Sequence, residues 1–200
     1  MTAQVNLYNL ALGHLGKTRV TAVTEPNGIK LDAFFENARD AVLALHPWNF
    51  ATVRAELAAD DTAPVFGWDT YFTLPADPYC LRVVGMTDDA SADDVDEDAQ
   101  YAIEAGPDGV GRKIATNLGA PLYVKYIFRV TDYSLWSPLA IRLLGLQLAA
   151  DAAIEFTNSL NLQAKLLERI DNERPKAKNV DAQEHGAEVD DDSDYLEARA

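Results

Sequence analysis

Few residues in this chain could carry chemistry. His14, His46 and His185 are its three histidines and Cys80 its single cysteine, which leaves no disulfide framework and no Cys-rich metal site. No histidine falls in H-E-x-x-H or another ligand spacing. His14 lies near the C-terminal end of a helix-like run, where a partly protonated imidazole is favourable. Cys80 borders a strand-like run, where a buried structural thiol is the usual outcome. Asp94-x-Asp96-x-Asp98 imitates the start of a calcium loop, but the sixth position is Ala99 and the twelfth Ala105, where Gly and Glu are required. A solvated hairpin loop is the reading that remains. No G-x-S-x-G, G-x-x-x-x-G-K-[ST] or strand-linked G-x-G-x-x-G occurs. With 32 acids, no carboxylate pair can be singled out as general acid and base. An enzyme has no foothold in these residues, and no cofactor is expected.

Charge says more. The formal net charge is −15, concentrated in Asp88–Asp98, with seven acids in eleven residues, and in Glu184–Ala200, with seven acids against Arg199. Such a surface repels phosphate and is poorly suited to gripping DNA. Lys165, Arg169, Arg174, Lys176 and Lys178 form a locally basic helix directly before the second acidic run. That helix reads as a solvated face with ion pairs to Glu168, Asp171 and Glu173, or as half of a docking surface. The other half would be a C-terminal segment carrying Asp190, Asp191, Asp192, Tyr195 and Leu196.

Two hundred residues with 48% hydrophobic content give one or two domains and a real core. The start, MTAQVNLYNL, lacks the basic and long apolar regions of a signal peptide. The most apolar stretch, Pro138 to Ile154, contains Arg142, Gln147 and Asp151 and falls short of the ~20 apolar residues of a membrane span. A soluble protein without a membrane partner is expected.

The elements that would position these groups are legible from period. Val5, Tyr8, Leu12 and Leu15 keep helical spacing, stopped at Gly16. Leu31, Phe34, Phe35, Ala38, Val42 and Leu45 mark one face of a second helix, with Glu36, Asn37, Arg39 and Asp40 on the other. Pro47 ends it, because its ring costs ~3 kcal/mol inside a helix. His46, Pro47, Trp48 and Phe50 then read as a joint, the rings fixing the place where helices hand over to strands. Thr52–Leu57, Trp68–Leu74, Cys80–Val84, Tyr101–Glu104, Arg112–Ala115 and Leu122–Val130 read as strands of an antiparallel sheet or small sandwich, with a hairpin turn at Gly106–Gly109. Ser137-Pro138 is a helix N-cap followed by proline at the first helical position. Leu139–Phe156 is apolar on nearly every side, as in a buried helix. Leu160 to about Ala182 is a more polar helix with Leu162, Leu166 and Ile170 inward and a kink expected at Pro175. The outline is α+β: helices 1–48, a β insertion 49–133, helices 134–184 that complete a bundle with the first, and an acidic tail 185–200.

The order of these features resembles the tail tubular protein A family of short-tailed bacteriophages, the adaptors between portal and tail. Asn9-Leu10-Ala11-Leu12-Gly13-His14-Leu15-Gly16 is similar to its "N-x-A-L-x-x-L-G" opening. Arg39-Asp40…Leu43…His46-Pro47-Trp48-Asn49-Phe50-Ala51…Arg54-Ala55-Glu56-Leu57 is similar to "R-D-x-x-L…H-P-W-N-F-A…R-A-x-L". Tyr71…Leu74-Pro75…Asp77…Cys80-Leu81-Arg82-Val83 is similar to "Y-x-L-P-x-D-C-L-R-V", with Pro78-Tyr79 inserted. Tyr126-Ile127…Arg129-Val130-Thr131-Asp132 and Val180-Asp181-Ala182-Gln183-Glu184 carry the resemblance to near the end of the chain.

The resemblance implies a helical bundle with an inserted β domain. It also implies a dodecameric ring that binds the portal protein above and the tail nozzle below. Double-stranded DNA would pass through that ring without specific binding. The implied place is the virion neck, after assembly in the host cytoplasm. The implied sites are interfaces: the basic helix and acidic segment named above would meet the portal or a neighbouring subunit. From charge alone, the competing reading is an acidic binding protein of DNA-mimic type that occupies a basic partner.

Overall fold

Thr2 opens the first helix, its hydroxyl accepting a hydrogen bond from the Val5 amide, and α1 runs Ala3–His14. Gly16 takes the left-handed conformation that ends it (φ 64°), while Lys17 N donates back to Leu12 O. The computed structural model describes residues 2–107 and 109–184. α2, Pro26–Ala44, starts where the Glu25 carboxylate accepts from the Thr21 and Ala22 amides, and it ends just before the His46-Pro47 joint. Leu31, Phe35, Ala38 and Val42 face inward as their spacing predicts, but Leu43 rather than Leu45 completes the buried face. Arg39, expected on the solvated face, is 4% exposed.

After a short 3-10 turn, Asn49–Ala51, six strands follow: β1 Thr52–Leu57, β2 Thr70–Thr73, β3 Cys80–Thr87, β4 Tyr101–Ala105, β5 Arg112–Thr116 and β6 Leu122–Phe128. They form two three-stranded antiparallel sheets, β1-β6-β3 and β2-β5-β4. Phe72, Leu74 and Ile114 of the second sheet pack against Val83, Met86, Leu122, Val124 and Tyr126 of the first, giving a small sandwich. The alternation of β6 sends Leu122, Val124 and Tyr126 toward the other sheet and Ile127 toward the helices. That strand is therefore buried on both faces, which explains an apolar run interrupted only by Lys125. The β4–β5 connection is the expected hairpin, with Gly109 N donating to Gly106 O at 2.8 Å; Asp108 within it lies outside the described residues.

The acidic stretch Asp88–Asp98 is not a hairpin loop. It crosses from β3 in one sheet to β4 in the other, and on the way it folds back over β3, where Met86 and Asp96 exchange backbone hydrogen bonds of 3.1 Å each. Gly85 permits this approach: a Cβ there would stand 2.8 Å from Asp96 O.

α3, Pro138–Thr157, is capped by Ser137, whose hydroxyl accepts from Ala140 N. It lies against α1, α2 and α4, so nearly every side of it is covered. Its Leu143, Leu144 and Leu148 share a core with Tyr8 and Leu12 of α1, Leu31 and Phe35 of α2, and Leu166 and Ile170 of α4. α4, Leu160–Glu184, continues through Pro175, two residues beyond the expected end. Among the described residues no helix is long and apolar enough to cross a membrane. The architecture is α+β.

Candidate functional site

The joint after α2 is built from its aromatic rings. Trp48 is fully buried and its indole donates to Val42 O at 2.9 Å, closing the end of α2. His46 meets Trp48 edge-on at 4.9 Å, Phe50 stacks on Trp48 at 5.9 Å, and Trp136, just before α3, follows Phe50 at 5.2 Å. Pro47 lies between them at the rim of an open cleft of about 480 Å³. The rings thus tie α2, the first strand and the approach to α3 together, as the sequence suggests.

What the sequence leaves unassigned is the far side of this joint. Asp181, near the end of α4, is 3% exposed. Its carboxylate lies 3.1 Å from His46 Nε2 and accepts from the Asn49 amide at 3.2 Å, while the Asn49 side chain donates to its backbone carbonyl. Burial pulls the His46 imidazole below its ordinary pKa, with Asp181 opposing that shift. In the neutral ring Nε2 carries the hydrogen that Asp181 accepts. A His–Asp pair in a cleft has the form of a general-base dyad. Here, however, the carboxylate also holds a backbone amide, and the neighbouring Thr52 hydroxyl is given to Trp48 O at 2.8 Å. The arrangement works as a clasp between the start of the sheet and the last turns of α4.

A second junction stands on Asp40. Arg129, just after β6, donates to it through Nη2 at 2.6 Å and Nε at 3.0 Å, and Arg39 adds Nε at 2.9 Å. The Arg129 guanidinium also covers the Tyr79 ring at 4.4 Å, and its amide donates to Tyr79 O. Charge-assisted bonds of this kind fix geometry. They lock α2 to the end of β6, the central strand of the first sheet. Asn9, of the opening motif, is structural in the same way: its side chain accepts from Val20 N and donates to Val20 O, pinning the segment after α1.

The acidic crossing is partly neutralised. Asp94 pairs with Lys125 at 2.8 Å and Arg54 at 3.2 Å, and the Lys125 hydrogen bond leads the causes that draw its carboxyl down to about 2. It is thus a tether as well as a solvated surface. Among the described residues no group of three or more His, Cys, Asp and Glu side chains could hold a metal. Cys80 is buried, which pushes its thiol up to about 11 and makes it inert as a nucleophile near neutral pH.

The five cations of α4 do not make one patch. At 3.6 residues per turn, Lys165, Arg169 and Lys176 fall within about 40° of one another on one flank, and Arg174 and Lys178 on the opposite flank. Electrostatics agrees: Arg169 acts through its charge on His14 of α1, whereas Lys178 acts on His46 at the joint. Arg174 pairs with Asp171 at 3.5 Å and Lys176 with Glu173 at 3.6 Å, as a solvated helix would. His14 departs from expectation. Burial first, and then the nearby Arg169 and Arg142, hold its imidazole below the ordinary value, against the expected favourable effect of the helix terminus. Asp190, Asp191, Asp192, Tyr195, Leu196 and His185 lie outside the described residues. No protein-family model and no curated protein matches the chain.

Proposed function

We propose that the protein is a structural head-to-tail adaptor of a bacteriophage virion, one subunit of a ring between portal and tail nozzle that continues the DNA channel. One observation carries this reading. The positions through which the sequence resembles the adaptor family, Arg39, Asp40, His46, Trp48, Asn49, Arg129 and Asp181, converge on the two junctions that set helices against strands. A chain whose family-like residues are spent on holding one shape is suited to packing against copies of itself, and its activity on this reading is assembly rather than turnover. The helical bundle with its inserted β domain is the adaptor form, and twelve copies the expected number. Its acidic surface lets DNA slide past without adhering. The flanks of α4 and the acidic residues that follow it face the portal or a neighbouring subunit.

The test is to mix the purified chain with portal protein and follow the masses by native mass spectrometry, with imaging of the complex. A closed ring formed on the portal is expected. A chain that ignores the portal at every ratio, yet binds a basic nuclease or repressor tightly, would replace the adaptor with the DNA-mimic reading.

A further inference from the structure

The stripe formed by Lys165, Arg169 and Lys176 is a positive surface on a chain of net charge −15. Arg142 of α3 extends it, lying 3.2 Å from Glu173, the carboxylate it shares with Lys176. The Arg142 and Lys176 side chains are 47% and 67% exposed. Among the described residues Lys165 and Arg169 have no carboxylate within ion-pair distance. His14, facing the same stripe, registers its field through Arg169 and Arg142. This face of α4 is thus cationic, exposed and only partly compensated.

The complementary charge begins where α4 ends. Residues 185–200 hold six acids, Glu188, Asp190, Asp191, Asp192, Asp194 and Glu197, against Arg199. With a rise of 1.5 Å per residue, Lys176 stands about 12 Å and Arg169 about 22 Å back along the helix from Glu184. Asp190–Asp192, six to eight residues further on, can span about 20–26 Å, enough to return to both.

We propose that the acidic residues 185–200 seat on the Lys165–Arg169–Lys176 stripe of their own chain, with Arg142 at its margin. Covalent tethering gives a segment in cis an effective concentration of order millimolar, which a second copy in dilute solution does not match. The individual pairs are weak and salt-screened, so the cover is displaceable by a more strongly charged partner. The proposal concerns the isolated chain and stands or falls independently of ring assembly.

Zero-length carbodiimide coupling of the full chain, followed by peptide mapping, tests it. Amide links from Lys165 or Lys176 to Asp190–Asp192 are expected within the monomer, falling several-fold at about 1 M salt, where the screening length is ~3 Å. The full-chain variant D190N/D191N/D192N, whose circular dichroism should match the parent, removes the charge of that segment. The His14 imidazole, followed by NMR titration, should shift to lower pKa in that variant, because the cations facing it lose their cover. Links to Lys17, Lys30 and Lys113 as frequent as those to Lys165 and Lys176 would overturn the proposal, as would an unmoved His14 titration. Links confined to a dimer would instead assign the stripe to the acidic segment of a second copy.

Discussion

His46 Nε2 lies 3.1 Å from Asp181 Oδ2, across 135 residues of sequence, and both side chains are turned inward. The same carboxylate takes the Asn49 amide. Replacing Asp181 with Ala leaves a buried backbone N–H and an imidazole N–H without acceptors, which costs about 1–3 kcal/mol. Asp181→Ala should lower the unfolding free energy in urea by that amount and open the last turns of α4 to protease before the rest of the chain. An unchanged midpoint with unchanged cleavage would show that the clasp holds nothing.

Trp48 is the larger support at the same joint. It is fully buried, met edge-on by His46 and stacked on Phe50, and hydrogen-bonded to the end of α2. Trp48→Ala should cost about 3–5 kcal/mol in equilibrium unfolding. A normal melting temperature combined with failed association with portal would place the ring on a contact surface, contrary to its burial.

The contrast between these two residues shows what sequence can convey. Trp48 was legible because it sits in a local pattern: a helical stripe, a proline stop and a cluster of rings. The Leu31–Val42 stripe, the strand alternation and Ser137-Pro138 are legible for the same reason, each being a period or a cap within a few residues. Asp181 carries no such signal. It lies on a polar helix among other acids, and although the family-like Val180–Glu184 string includes it, only the three-dimensional return of α4 to Asn49 reveals its partners. Arg39 misled because a charged residue at that phase of α2 reads as solvated, whereas its neighbour Asp40 and the nearby Tyr133 allow it to be buried. Asp88–Asp98 misled because charge density alone does not reveal that Gly85 lets the segment fold back on β3. The division of the α4 cations into two flanks was available from helical period, once applied to charges as well as to apolar positions.

Asp40 and Arg129 should behave as a coupled pair. Their side chains are 24% and 35% exposed, so solvent screening keeps the coupling modest despite the two-point contact. A double-mutant cycle with Asp40→Asn and Arg129→Met should give a coupling of about 1 kcal/mol that shrinks at high salt. Additive effects would mean that α2 and the end of β6 are held by packing alone.

His14 supplies a pH dependence whose sign follows from its surroundings. Burial, with Arg169 and Arg142 nearby, lowers its folded pKa below the unfolded value of 6.5. Between those two values the unfolded chain binds the extra proton, so stability rises with pH there. Its contribution is complete above about pH 6.5 and is lost as pH falls through the lower, folded value. His46 is shifted in the same direction, so the two add. Chemical unfolding between pH 7.5 and 5 should therefore show a falling midpoint. His14→Gln should flatten part of that slope, since a neutral amide neither gains charge beside the two arginines nor titrates. A second variant, Arg169→Gln, removes one of the repelling cations and should flatten it too while leaving the imidazole in place. If His14→Gln keeps the full slope, the loss on acidification comes from His46 or from the carboxylates. If Arg169→Gln steepens the slope, the field at His14 is not the one these cations set.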